Sequence, residues 1–111
     1  MKESILLSIK KLLGITEDYT VYDVDLIMHI NSVFLILNQL GVGPDDGFSI
    51  KDENDTWDKI IDDSRFEAVK SYVYLKVRLL FDPPQSSAVM EAINRMISEL
   101  EWRINVSAEN K

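Results

Sequence analysis

The chain has 111 residues, which allows one domain with a modest hydrophobic core. Its formal net charge of −7 disfavours a protein whose main task is to grip nucleic-acid phosphates. The absence of cysteine excludes disulfides and thiolate metal sites. We expect a single domain over residues 1–111 with no signal peptide or membrane span, because Lys10 and Lys11 interrupt the apolar N-terminal segment.

The hydrophobic pattern predicts an all-α fold, a small helical bundle of about four main helices with one long loop between the second and third. The first helix spans residues 4–13, where apolar residues recur at spacings of three and four. Ser4 suits its N-cap position, and Gly14 suits the left-handed residue that ends a helix.

The second predicted helix, residues 20–40, is apolar almost all the way round. A loose capping box formed by Thr20 and Asp23 marks its start, and Gly41 marks its end. A helix with so little polar surface is buried on more than one side. Two interpretations remain open: it is the central helix of the bundle, or another subunit covers part of it.

The loop, about residues 41–55, contains the strong turn sequence Gly-Pro-Asp-Asp-Gly at residues 43–47. A loop of this length is either a mobile surface segment or an arm that contacts another subunit. One or two helical turns should follow at residues 56–61, where Trp57 and two isoleucines can dock onto the core.

The third helix opens with a capping box at Ser64 to Glu67 and ends near Leu80. It carries two apolar stripes, more than one core-facing side requires. We therefore predict that the second and third helices contact another subunit. The predicted interface residues are Met28, Leu35, Ile36, Tyr72, Leu75 and Leu79.

Two adjacent prolines, Pro83 and Pro84, stop the third helix and form a stiff elbow. Ser86 or Ser87 should cap a fourth helix, whose apolar stripe is Val89, Ile93, Met96 and Leu100. Phe81 is expected to close the core at the end of the helical hairpin, and the C-terminus is expected to fray at about residues 106–111.

The sequence predicts no catalytic, cofactor-binding or metal-binding residue, and no cofactor. His29 follows Asp25 by one turn, but without a nucleophile motif we interpret it as a helix-surface or interface residue. The acidic residues of the loop lack the EF-hand pattern, so a solvated loop is favoured over a calcium site. An enzyme is not expected.

From about Trp57 onward the chain resembles the small head–tail connector proteins of tailed phages with long non-contractile tails, also called adaptor, head-completion or DNA-packaging proteins. The likeness includes residues 67–73 and the apolar segment near Gly14. Its most distinctive part is a pair of motifs: Phe81, Asp82, Pro83 and Pro84, followed one helix later by Glu99, Leu100, Glu101, Trp102 and Arg103. The loop at residues 41–55 is the least similar part.

The resemblance implies an all-α, non-enzymatic virion assembly protein, encoded by a phage or a prophage. Such proteins form an oligomeric ring of roughly a dozen copies under the portal, with closed head-to-tail contacts. The ring extends the DNA channel, through which DNA passes without sequence-specific binding, and docks the next neck or tail protein. Assembly in the host cytoplasm, followed by a place in the virion neck, is the implied location.

Two other classes fit the same pattern. One is a helical protein–protein interaction or regulatory module that forms no ring. The other is a helical DNA-binding protein, for which the basic hints are scattered: Lys10, Lys11, Lys70, Lys76 and Arg78.

Overall fold

Four helices make up the fold, as the sequence predicts. The computed structural model describes residues 2–109, apart from the side chains of residues 63 and 109. The helices are α1 (Ile5–Leu13), α2 (Asp23–Gln39), α3 (Phe66–Phe81) and α4 (Ser87–Glu109), with short 3-10 turns at Trp57–Lys59 and Asp63–Arg65. No helix within residues 2–109 is both long and apolar enough to cross a lipid bilayer.

The ends of α1 follow the prediction, whereas the start of α2 does not. The Ser4 hydroxyl accepts a hydrogen bond from the Leu7 N–H, and Gly14 ends the helix at φ 82°. The predicted capping box of Thr20 and Asp23 does not form, and α2 starts at Asp23. The reason is that the Asp23 carboxylate pairs with Lys10 Nζ at 2.9 Å.

An aromatic line forms the centre of the core. Trp57 is fully buried, and its ring lies 6.5 Å from Phe34 on α2 and 5.8 Å from Phe66 at the start of α3. Its indole Nε1–H donates to the hydroxyl of Ser8 on α1 at 3.2 Å. The short turn after the loop therefore docks onto the core, as predicted, and Trp57 joins three helices.

The capping box predicted for α3 is also wrong. Ser64 donates its hydroxyl to the Asp62 carboxylate at 2.8 Å, and Arg65, which occupies the N-cap position, makes no capping hydrogen bond through its side chain. A 3-10 turn at Asp63–Arg65 precedes the helix and places Ser64 one residue outside that position. The helix ends at Phe81, whose ring packs edge-on against Tyr22 with centroids 5.1 Å apart.

Helix α4 begins as expected but buries only part of the predicted stripe, Ile93 and, in part, Leu100. The Ser86 hydroxyl accepts from the Val89 N–H at 3.4 Å, which confirms the predicted cap. Among the predicted stripe, Val89 and Met96 are exposed. Helix α4 packs mainly on α3, so only one narrow side is covered. The buried residues of that side are Ile93, Ile97 and Ile104.

Helix α4 continues to Glu109, through most of the segment for which fraying is predicted. Ile104 is buried, and Ala108 lies against Gly41 so closely that a Cβ on the glycine would lie 2.8 Å from the alanine Cβ. Gly41 also has φ 90°, where glycine is unstrained. The last two residues of the chain lie outside the described part.

We expect the double change Pro83→Ala, Pro84→Ala to lower the free energy of unfolding by about 1–2 kcal/mol, because each proline restricts the unfolded chain. Urea unfolding followed by circular dichroism measures this loss. Asp82 donates its N–H to the Arg78 carbonyl at 2.8 Å, so the helix end itself should persist. An unchanged midpoint would mean that the elbow has no mechanical role.

Candidate interaction surface

The outer side of α2 carries apolar side chains that its own chain leaves exposed. We call Val24, Met28 and Leu35 the α2 outer stripe; their side chains are 73%, 63% and 68% exposed. Each lies two positions before a buried residue of the same helix, and therefore points away from the core. The interpretation of α2 as a fully enclosed central helix is wrong. Coverage by another subunit remains a prediction.

A groove lies between α2 and the loop. It is lined by Met28, Asn31, Ser32, Leu35, Phe48 and Ser49, and we call it the α2–loop groove. Phe48 is half-buried and tilts against Phe34, with ring centroids 5.7 Å apart. The Asn31 amide donates to the Ile50 carbonyl at 3.0 Å and accepts from the Ile50 N–H at 2.8 Å. These contacts fix the loop wall of the groove against α2.

A second groove lies between α2 and the end of α3. Its lining residues are Ser32, Val33, Ile36, Lys76, Leu79 and Leu80. Ile36 and Leu79 are half-buried and Leu80 is 54% exposed. Because Ser32 borders both grooves, they form one continuous, largely apolar side of the molecule.

The structure divides the six predicted interface residues into two groups. Met28, Leu35, Ile36 and Leu79 border the grooves. Tyr72 and Leu75 are buried in the chain's own core, so they offer no surface to a second subunit. Both lie on a part of α3 that the chain's own helices cover, and α4 packs on α3. Sequence reasoning also missed Val24, although its spacing from Met28 indicates the same helix side.

The two distinctive motifs occupy different environments. Phe81 is half-buried at the hairpin end, as expected, while Pro83 is exposed. In the second motif, Glu99 and Arg103 form an exposed ion pair at 2.7 Å, Leu100 packs against the core, and Glu101 accepts a hydrogen bond from Tyr72. Leu100 and Glu101 therefore hold α4 against the rest of the fold, while Glu99 and Arg103 pair with each other on the surface of α4.

Trp102 is the member of the second motif that contributes to neither the core, nor an ion pair, nor a hydrogen bond with another helix. Its side chain is 67% exposed. It lies five residues after Ile97 and two before Ile104, which puts it on the side of α4 opposite the buried stripe. A large exposed indole on an otherwise polar helix side is a candidate contact residue.

Burial, together with the nearby Glu101 carboxylate, raises the pKa of Tyr72 above its usual value of 10. The Tyr72 hydroxyl donates to Glu101 Oε2 at 2.6 Å. The folded state favours the neutral form of Tyr72. The contribution of its hydroxyl to the stability of the fold is therefore complete below pH 10 and is lost as the pH rises towards the folded-state pKa.

We therefore expect Tyr72→Phe to cost about 1 kcal/mol at neutral pH, through loss of the hydrogen bond. The stability difference between wild type and variant should shrink above pH 10. Chemical unfolding at a series of pH values measures the difference, with the half-buried Tyr74→Phe as the matched control. A difference that stays constant with pH would contradict the assignment.

The acidic loop is held by its own backbone. The Asp55 carboxylate accepts from the Lys51 N–H at 2.7 Å, and this hydrogen bond is the main cause that lowers the pKa of Asp55.

Within residues 2–109 no group of three or more acidic or histidine side chains is arranged to hold a metal ion. His29 is half-buried on α2.

Two of the scattered basic residues are already engaged within the chain. Lys10 is fully buried and pairs with Asp23, so its interpretation as a basic surface residue is wrong. Lys70 pairs with Glu3 at 3.4 Å and lies 5.3 Å from the ring centroid of Phe66. These contacts occupy two of the five basic residues on which the DNA-binding alternative depends.

The pattern of the whole chain matches a known family. A family model described as "Phage connector protein" matches residues 5–111. The chain belongs to the phage connector protein family. No curated protein sequence and no solved structure shows significant similarity to it.

Membership settles the broad class of this connector. It is a structural, non-enzymatic phage protein of the head–tail neck, and its partners are other phage head or tail proteins. The exposed apolar side formed by the α2 outer stripe and the two grooves is the part of the molecule suited to such contacts.

Proposed function

We propose that this connector assembles into a ring of roughly a dozen copies under the portal, where it extends the DNA channel and docks the next neck or tail protein. Assembly takes place in the host cytoplasm, whether the chain comes from an active phage or a prophage. The ring then forms part of the virion neck.

The observation that carries the proposal is the exposure of large apolar side chains at two separate sites on different helices. The α2 outer stripe and the α2–loop groove form one, and Trp102 on α4 marks the other. In a ring each subunit contacts its two neighbours through two different surfaces. Several large apolar side chains exposed together, as on α2, usually mark a site of contact with another molecule.

The charge of the chain supports passage of DNA without retention. Each copy carries a formal net charge of −7. Acidic side chains that face a channel repel phosphates, so DNA moves past them without sequence-specific binding.

Sedimentation velocity of the purified chain, alone and with the portal protein of the same phage, tests the proposal. We expect a slowly sedimenting species alone and a ring-sized, portal-bound complex in the mixture, visible as rings by negative-stain electron microscopy. Duplex DNA at low salt should not bind the free chain.

Two results would contradict the proposal. A chain that neither binds the portal nor self-associates at any concentration would favour the alternative, a helical interaction or regulatory module without a ring. Salt-dependent binding of duplex DNA would instead favour the DNA-binding class.

A further inference from the structure

We propose that neighbouring copies in this ring join through Trp102 of one copy, which inserts into the α2–loop groove of the next, with Arg95 of the first copy facing Asp25 of the second. The inference rests on the proposed ring and specifies its contact. The occupant of the groove is thus a second copy of this chain.

The groove is suited to receive a planar ring. Met28 and Leu35 are largely exposed on one wall, and the half-buried Phe48 forms the other. The two hydrogen bonds between Asn31 and Ile50 hold the walls in place before any partner arrives. Binding to a groove that is already ordered loses little conformational entropy. Tryptophan is the residue type most enriched among the energetic centres of protein interfaces.

Charge complementarity favours a second copy of this chain as the occupant of the α2–loop groove. Residues 12–50, which contain all of α2 and most of the loop, have no lysine or arginine. Their acidic residues are Glu17, Asp18, Asp23, Asp25, Asp45 and Asp46. On α4, Arg95 is exposed two turns before Trp102, on the same side of the helix. The acidic side of one copy therefore complements the Arg95 and Trp102 side of another.

The charged residue and the apolar contact are separated by the same number of residues on α4 and on α2. Trp102 follows Arg95 by seven residues, and Ser32, at the level of the groove between Met28 and Leu35, follows Asp25 by seven. Seven helical residues span about 10 Å, so two parallel helices place both contacts in one register. Neither Arg95 nor Asp25 makes an ion pair within residues 2–109, which leaves both charges available.

The three acidic residues of α4 nearest to Arg95 and Trp102 do not oppose this register: Glu101 accepts a hydrogen bond from Tyr72 of its own chain, and the other two are Glu99 and Glu91. Glu99 is neutralised by Arg103 at 2.7 Å. Glu91 lies one turn before Arg95 and falls at the level of Val21, an exposed apolar residue that precedes α2. No acidic residue of α2 faces it there.

Cysteine crosslinking tests the contact, because the natural chain contains no cysteine. Ser32→Cys and Ser98→Cys are conservative changes at exposed positions beside the groove and Trp102, respectively. Under conditions where the wild type oligomerises, a short bismaleimide should join the two single variants when they are mixed. The doubly substituted chain should give a ladder of oligomers, and Ser71→Cys in place of Ser98→Cys should give no such product.

A charge exchange tests the register. Arg95→Asp and Asp25→Arg should each weaken self-association, and their combination in one chain should restore it. Trp102→Ala should weaken self-association by about tenfold or more. Sedimentation velocity over a concentration series measures all four chains, and circular dichroism confirms that each is folded.

The outcomes separate this contact from the ring itself. If portal-bound rings form but no Ser32–Ser98 product appears, or if the charge exchange gives no recovery, the contact is wrong while the proposed function stands. If the wild type forms no oligomer with or without the portal, both the proposed ring and this contact are wrong.

Discussion

Replacing Trp57 with alanine is expected to lower the free energy of unfolding by about 3–5 kcal/mol, because it leaves a large cavity at the centre of the core. The fully buried indole contacts Phe34 and Phe66 and donates to Ser8, so its loss weakens the packing of three helices at once. A small domain often has little more stability than this to lose. Urea unfolding measures the change.

The second tryptophan provides the matched control. Trp102 is 67% exposed, and its replacement by alanine should change the unfolding free energy by about 0.5 kcal/mol or less. The same change should impair self-association, whereas Trp57→Phe should retain much of both stability and assembly. Equal destabilisation by the two alanine variants would contradict the division into a core tryptophan and a contact tryptophan.

Replacing Lys10 with methionine should also be strongly destabilising, by about 3 kcal/mol, because it removes the buried partner of an ion pair whose carboxylate is itself only 25% exposed. The ammonium group is fully buried, donates to the Glu17 carbonyl at 3.1 Å and lies 2.9 Å from Asp23. It therefore ties the end of α1 to the connecting segment and to the first turn of α2. Methionine retains the length of the side chain but none of these contacts.

The control for this change is the neighbouring residue. Lys11 is exposed, so Lys11→Met should leave the unfolding midpoint nearly unchanged. The double variant Lys10→Met, Asp23→Asn should recover part of the stability, because it leaves no unpaired carboxylate. If Lys10→Met alone behaved like Lys11→Met, the ion pair would not contribute to the fold.

Local signals were sufficient for much of this connector. The spacing of apolar residues predicted four helices, and Ser4, Gly14, Ser86 and the paired prolines marked helix ends that the structure confirms. These signals succeed because a helix period, a cap and a proline stop depend on a few neighbouring residues. The two motifs near Phe81 and Trp102 were enough to identify the family.

Two predicted capping boxes failed for the same reason. Asp23 binds Lys10 and Ser64 binds Asp62, so each polar side chain uses a competing partner instead of the backbone at a helix start. The Lys10 partner is thirteen residues away, beyond the reach of any local pattern. The contact with Lys10 is therefore decided only when the chain has folded, whereas the partner of Ser64 is two residues away and competes with the cap locally.

The amino-acid sequence by itself determined the helical class, most helix ends and membership of the connector family. Only the tertiary structure decided which apolar residues remain available to a partner: Tyr72 and Leu75 are enclosed by the chain's own helices, whereas Met28, Leu35 and Trp102 are exposed. Periodicity shows that several sides of a helix are apolar. Which of them a neighbouring helix covers depends on packing between segments distant in the chain.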